Sequence, residues 1–213
     1  MDPNIRLERF KPEDVPNYMK FLQSDFLKRN PMNVALHTDM ETTVKVFTGL
    51  LNRGCNDFSA ILYNEKDEIV GLINCIVRSR DEAGYAVHWN EETDKQPILL
   101  FSRKQDEKFD TWNRFPTEID KVLWISLISA RADYARKGLA KHLLAHSLKL
   151  AKEAGISGAA ANAGAFQSQQ LFKSFNFSVL VEAVHADILD NKGRQILRCH
   201  DETRSNQLVF RLI

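Results

Sequence analysis

Apolar and polar residues alternate from Ile5 to Phe10, with Ile5 and Leu7 set against Arg6 and Glu8, which predicts a first strand. The period then lengthens. After Pro12, residues Val15, Tyr18, Met19, Leu22 and Phe26 fall at offsets of 3, 4, 7 and 11, one face of a helix that Pro31 should stop. Thr38 and Glu41 stand at capping-box spacing and predict a second helix, with Val44, Phe47, Leu50 and Leu51 on its apolar face and Gly54 at its end. Phe58 to Tyr63 and Glu68 to Val77 read as two strands joined by the polar turn Asn64 to Asp67.

Residues 80 to 120 break this rhythm. They are polar, carry a helix-like run from Pro97 to about Trp112, and are too many for a plain connection, so an insertion with a role in binding is expected. Val122 to Ala130 (VLWISLISA) predicts a buried central strand. Arg136 to Ala154 predicts a long helix with Leu139, Leu143 and Leu150 inward and Gly155 as terminator. Ser157 to Ala161 reads as a short strand, Phe166 to Phe175 as a short helix, and Phe177 to Ile188 and Gln207 to Ile213 as the last strands, with a polar loop over 189 to 206. The order βαα, ββ, insert, βα, βα, ββ predicts one α/β (α+β) domain over 1–213, a mixed sheet with helices packed on it.

Composition narrows the function classes. Hydrophobic residues at 44% and charged residues at 27% fit an ordinary globular chain. Twenty-nine basic against 28 acidic residues give a net charge of +1, no global field for a nucleic acid or an anionic membrane. No apolar run approaches the ~18 residues of a membrane span. Cys55, Cys75 and Cys199 are odd in number and widely spaced, neither a disulfide framework nor a zinc-ligand pattern. Reduced thiols and the absence of an apolar leader in MDPNIRLERF point to the cytoplasm. No metal, nucleic-acid or membrane partner is implied.

The chemistry concentrates in Leu123 to Leu144, where a buried strand runs into a short polar turn and a helix opens around Arg136, Lys137, Gly138, Leu139, Ala140 and Lys141. The first N–H groups of a helix have no partner within it and sit at the positive end of its dipole. Small residues let an anion approach that backbone, and three basic side chains add charge, so the turn can cradle a pyrophosphate. A basic helix start with no ligand is the competing reading. Neither GxxxxGK[ST] nor GxGxxG is present.

DYARKGLAKHLL (133 to 144) resembles the acetyl-CoA motif of the GNAT superfamily, R/Q-x-x-G-x-G/A between a strand and a long helix. Gly138 and Ala140 match its last two marked positions, while Ala135 stands where Arg or Gln is usual. SQQLFKSFNF (168 to 177) resembles the family's second element along the pantetheine arm, with Phe172 for the frequent tyrosine and Asn176 for the glycine. FLKRNPMN (26 to 33), FDTWNRFP (109 to 116) and HADILDNKG (185 to 193) are similar to segments of invertebrate arylalkylamine N-acetyltransferases. The resemblance implies a twisted sheet of about seven strands whose fourth and fifth splay around the pantetheine. It implies acetyl transfer from acetyl-CoA to a small-molecule primary amine by direct attack, in a monomer or weak homodimer. Backbone at Ile128, Ser129 and Ala130 would pair with the pantetheine amides, and Arg136 to Lys141 would hold the pyrophosphate.

The catalytic groups depart from that pattern. Relatives place a glutamate base in K-D-E-P-L-N, whereas this chain has Asn30 at the glutamate position, with Arg29 before it and Pro31 after it. An amide takes no proton at neutral pH. Asp25 could replace the base, the substrate could need little deprotonation or carry an anionic group that Arg29 attracts, or the protein could bind the cofactor and catalyse poorly. Ser168 matches one of two serines that handle protons in relatives, the other being Gly164 here. Its hydroxyl could assist the leaving thiolate or bond its own helix start. His142 and His146, four residues apart, could share a metal or simply pack within the helix. Tyr85, Trp89, Trp112 and Phe115 could wall an arylalkyl group or anchor the insert. A protein-amine acetyltransferase and a non-catalytic acyl-CoA sensor are the rival functions.

Overall fold

Seven strands form one sheet in the order β1-β2-β3-β4-β5-β7-β6. They are β1 (Arg6–Arg9), β2 (Ala60–Tyr63), β3 (Ile69–Ser79), β4 (Lys121–Ala130), β5 (Gly158–Ala163), β6 (Ser178–Val184) and β7 (Ser205–Leu212). Every pairing is antiparallel except β4 with β5. The computed structural model describes residues 4–81, 97–190 and 192–213. Tyr85 and Trp89 lie outside them. Among the described residues no helix is long and apolar enough to cross a membrane.

The first helix runs through α1 (Val15–Phe21), a π-helical stretch (Leu22–Phe26) and a last turn (Leu27–Arg29). Pro31 ends it as expected and opens the short α2 (Pro31–Ala35). The helix α3 (Met40–Arg53) is capped one residue later than the sequence spacing implies. Asp39, not Thr38, accepts the Thr42 amide, at 2.8 Å, and Thr38 bonds back to the Asn33 carbonyl. Aspartate is the stronger N-cap of the two. The insert contributes α4 (Pro97–Phe109) and α5 (Thr111–Arg114), separated where Asp110 turns left-handed at φ 45°. The two helices α6 (Leu139–Glu153) and α7 (Phe166–Ser174) follow β4 and β5.

Three apolar clusters join these elements. On one face of the sheet Leu139, Leu143 and Leu144 of α6 and Phe172 of α7 bury against Leu123, Ile125, Ala159, Ala161 and Val209. The other face is shared. Tyr18, Leu22 and Leu51 cover Ile61, Leu72 and Leu127, and Phe101 and Phe109 of α4 cover Ala160, Leu208 and Phe210. Small residues in β5 make room for this packing. A Cβ on Gly158 would stand 2.7 Å from the Phe210 ring and 3.3 Å from Val122.

A polar strut ties α4 to the sheet. The buried His185 meets Asn206 Oδ1 through Nε2 at 3.1 Å, and Asn206 Nδ2 donates to Gln105 Oε1. Burial pushes the His185 imidazole below its ordinary value, opposed by the bond to Asn206. Burial does the same to His146, with His142 adding to it. These imidazoles take up a proton less readily in the fold than in the unfolded chain, where the value is about 6.5. Their contribution is therefore complete above pH ~6.5 and is lost progressively as pH falls from there towards the lower values of the fold. Thermal melts between pH 7 and 5.5 should show the midpoint dropping with pH, and His185→Gln should flatten part of that slope. Gly158→Ala should cost about 1–3 kcal/mol in chemical denaturation, since Phe210 and Val122 must both give way.

Candidate active site

Parallel pairing between β4 and β5 runs only from Val122 opposite Gly158 to Ile125 opposite Ala161. Both strands continue, β4 to Ala130 and β5 to Ala163. On its other edge β4 stays paired with β3 as far as Ala130 opposite Gly71. The cause of the fork lies in that ladder. Asn74 faces Leu127 while Cys75 faces Ile125, so Ser126 is an extra residue, a β-bulge. A bulge bends its strand and steepens the twist, and here it does so at the first residue past the last β5 partner. Beyond that point the Ser126 and Ser129 hydroxyls on β4 and Asn162 Oδ1 on β5 are buried with no hydrogen-bond partner among the described residues. Each such atom costs about 1–3 kcal/mol. Their gathering on both arms of one fork suits a polar ligand lying between the strands.

The fork opens toward the start of α6. After Ala130 the chain makes a 3-10 turn (Ala132–Tyr134), then Arg136 and Gly138 adopt left-handed φ of 62° and 80°. Two left-handed residues cannot sit in a right-handed helix, which corrects the expected start at Arg136. The helix begins at Leu139, with Gly138 as its cap. The left-handed conformation costs Arg136 roughly 1–2 kcal/mol and Gly138 nothing. Gly138 is exposed, and the space where its Cβ would stand is open. Among the described residues the amides of Gly138, Leu139, Ala140 and Lys141 have no acceptor. Arg136, Lys137 and Lys141 are exposed around them, and the Leu139 side chain is buried behind. This is the arrangement that favours an anion at a helix mouth.

The segment 29 to 32 crosses the fork. Arg29 grips the Asp25 carboxylate through Nε, at 2.9 Å, and Nη2, and Nη2 also donates to the Ala130 carbonyl at 3.1 Å. The carbonyl assigned above to a pantetheine amide thus already accepts one bond, and a second lone pair is left to it. Three residues on, the Met32 sulfur accepts from Asn206 and lies 2.6 Å from where a Cβ on Gly164 would stand, just past β5. Asn30, between them, is an N-cap. Its Oδ1 accepts from the Met32 and Asn33 amides at 3.0 and 3.1 Å.

Ser168 engages its own helix start, donating to the Ala165 carbonyl at 2.7 Å and accepting from the Ala165 amide at 3.2 Å. Asn176 takes the left-handed turn, φ 59°, that the glycine would supply. Of the aromatics expected in the insert, Trp112 and Phe115 anchor it. They meet edge-on at 5.2 Å, Phe115 stacks on Phe210 at 5.1 Å, and Arg80 lies over the Trp112 ring and bonds three carbonyls beneath it. Ile128 and Ala130 are half-buried and Ser129 is buried, all on the β4 arm of the fork. Asn162, Ser126 and the bond from Arg29 to Ala130 were missed in the sequence. Their one signal was a polar residue interrupting an apolar or small-residue strand.

The architecture matches solved structures over nearly its whole length. An arylalkylamine N-acetyltransferase 2 from Aedes aegypti superposes with a TM-score of 0.81 at 20% identity, covering 99% of each chain. A polyamine N-acetyltransferase from Drosophila melanogaster gives 0.81 at 18%, covering 98% of this chain and 100% of its own. A mosquito arylalkylamine N-acetyltransferase like 5b gives 0.80 at 12%, with 98% and 100% covered. At such identities the likeness establishes a shared fold. Among curated protein sequences nothing matches. The family model described as acetyltransferase (GNAT) matches residues 29–177, which include both arms of the fork, the helix mouth and α7. The chain belongs to the GNAT family of acetyl-CoA-dependent N-acetyltransferases.

Proposed function

We propose that the protein acetylates the primary amine of a small molecule, arylalkylamine-like in size, by direct attack within a ternary complex. The observation that carries this is the fork between β4 and β5, with unpaired buried polar atoms on both arms and open amides at its mouth. Acetyl-CoA supplies an activated thioester carbonyl. In this reading the backbone of Ile128, Ser129 and Ala130 pairs with the pantetheine amides. The amides from Gly138 to Lys141, with the Arg136, Lys137 and Lys141 side chains, hold the pyrophosphate. The buried hydroxyls and Asn162 Oδ1 suit such a ligand, because they are polar atoms without another partner among the described residues.

An amine attacks only when neutral, so a proton must leave it. Asn30 cannot take that proton. Asp25 is the proton acceptor in our reading. Arg29 links it to the end of β4, and a carboxylate bound by two guanidinium N–H groups retains further lone pairs. Ser168 would donate to the departing thiolate by turning its hydroxyl away from Ala165. The unpaired cysteines extend the reading to a reducing compartment, the cytoplasm. The neighbours described above are named as arylalkylamine and polyamine N-acetyltransferases, which favours a small amine over a protein in this reading. A second reading, cofactor binding with little turnover, draws on the Asn30 cap in place of a base.

Calorimetry should detect acetyl-CoA binding at micromolar concentration. A thiol-release assay over arylalkylamines, polyamines, amino acids and peptides should then find turnover with a small amine. Binding without thiol release from any of them favours the second reading, and no binding removes the assignment of the fork. Asp25→Asn should lower turnover about 10²-fold with cofactor affinity unchanged. A pH–rate profile identical to that of the unaltered protein would exclude Asp25 as the proton acceptor.

A further inference from the structure

Tyr134 closes the 3-10 turn between β4 and α6, and three contacts converge on it. Its hydroxyl accepts from Asn64 Nδ2 at 3.2 Å. The Arg131 guanidinium lies 5.0 Å from its ring centroid and Lys137 Nζ lies 4.3 Å from it. The two cations differ in what else they meet. Arg131 is neutralised, with Nε and Nη2 on the two oxygens of Asp133 and Nη1 on Glu68. Lys137 has no carboxylate at ion-pair distance among the described residues; Asp133 attracts it from farther off, and its close contact is the Tyr134 ring.

The ring is itself firmly placed. Asn64 is buried, its Oδ1 accepts from the Lys66 and Glu68 amides at 3.0 and 2.9 Å, and its Nδ2 also donates to Glu68. Bonds from Asn64 and Arg131 hold the Glu68 carboxyl below its ordinary value, so it stays anionic. The turn between β2 and β3 therefore fixes the Tyr134 oxygen, and through it the loop ahead of α6. A lysine side chain has many rotamers to lose when a ligand fixes it. A cation already resting on an aromatic face has lost part of that freedom before binding.

Resting on the cofactor reading above, we infer that Tyr134 is a positioning residue whose ring holds the Lys137 ammonium beside the open amides of Gly138 to Lys141, ready for a phosphate group. In acetyl-CoA that phosphate is either the pyrophosphate or the 3′-phosphate of the ribose. Family resemblance alone assigns Tyr134 nothing, since it precedes the marked positions of the motif.

Equilibrium calorimetry of the full chain tests this, with acetyl-CoA and 3′-dephospho-acetyl-CoA as the probes. Tyr134→Phe, which keeps the ring, should bind within about twofold of the unaltered protein. Tyr134→Leu should weaken binding about two- to fivefold, and Lys137→Gln by about fivefold or more. In the Lys137→Gln background Tyr134→Leu should add little, because the two act as one unit. The salt dependence of affinity should also be shallower in Lys137→Gln. Thermal melts of each ligand-free variant separate these effects from unfolding. Weakening in Lys137→Gln with both probes assigns the pyrophosphate, and weakening with acetyl-CoA alone assigns the 3′-phosphate. If Lys137→Gln binds both probes normally, or Tyr134→Leu weakens binding equally with and without Lys137, the inference is overturned. Normal binding by Tyr134→Leu sinks it alone, whereas silence in the unaltered protein sinks the cofactor reading as well.

Discussion

Beyond Ile125 and Ala161 the two parallel strands at the centre of the sheet separate, and each is held by its outer neighbour alone. β3 carries β4 to Ala130, and β7 carries β5 to Ala163. The gap is thus built into two antiparallel ladders and needs no ligand to prop it open. The extra residue Ser126 turns this into a fork by bending β4 where β5 can no longer follow. A sheet rarely leaves central strand edges unpaired, because backbone groups demand partners. The buried hydroxyls and the side-chain Oδ1 of Asn162 in the same place compound that demand. Preorganised polar groups of this kind favour binding, since little has to be rearranged when a ligand arrives.

The corner at Asn30 and Pro31 is a second constraint, with consequences for chemistry. Pro31 forces a break between two helices, and a helix starting after a break needs an oxygen for its first amides. Asparagine is among the best residues for that task. Its side chain is committed to the cap, at the place where the family resemblance leads one to expect a carboxylate. The same corner links Arg29 on the β4 side to Met32 on the β5 side, so it lies across the open end of the fork. Asp25 lies in the π-helical stretch of the first helix, a local widening often found at functional sites, and is tied to this end through Arg29.

Charge at the mouth of α6 is arranged locally within a chain of nearly zero net charge. Asp133 and Glu68 absorb Arg131, whereas Arg136 and Lys141 stay exposed and Lys137 rests on an aromatic ring. The backbone contributes as much as the side chains. Left-handed residues at Arg136 and Gly138 bring the chain into the helix with its first amides open. On the opposite face the insert is a packed part of the sheet's cover where it is described, joined to β7 by the strut from Gln105 to His185.

Much of the fold was legible in the residues themselves. Periodicity located each described strand and the helices α1, α3, α4, α6 and α7 to within a few residues, because burial on one face imposes a period that local sequence must carry. Gly138 and Ala140 marked the helix mouth, since only small residues leave that backbone open. The errors were at boundaries decided by competing local bonds, such as Asp39 outbidding Thr38 as a cap and left-handed backbone delaying α6 to Leu139. The fork was another matter. A bulge is a mismatch between two strands distant in sequence, and neither strand shows it alone. The bond from Arg29 to Ala130 spans 101 residues, and the place of Met32 over Gly164 depends on packing between a helix corner and a strand end. Sequence determined which segments are helix and strand and where an anion could approach. Tertiary structure decided which polar groups face one another across the gap, because that depends on register and side-chain direction between remote segments.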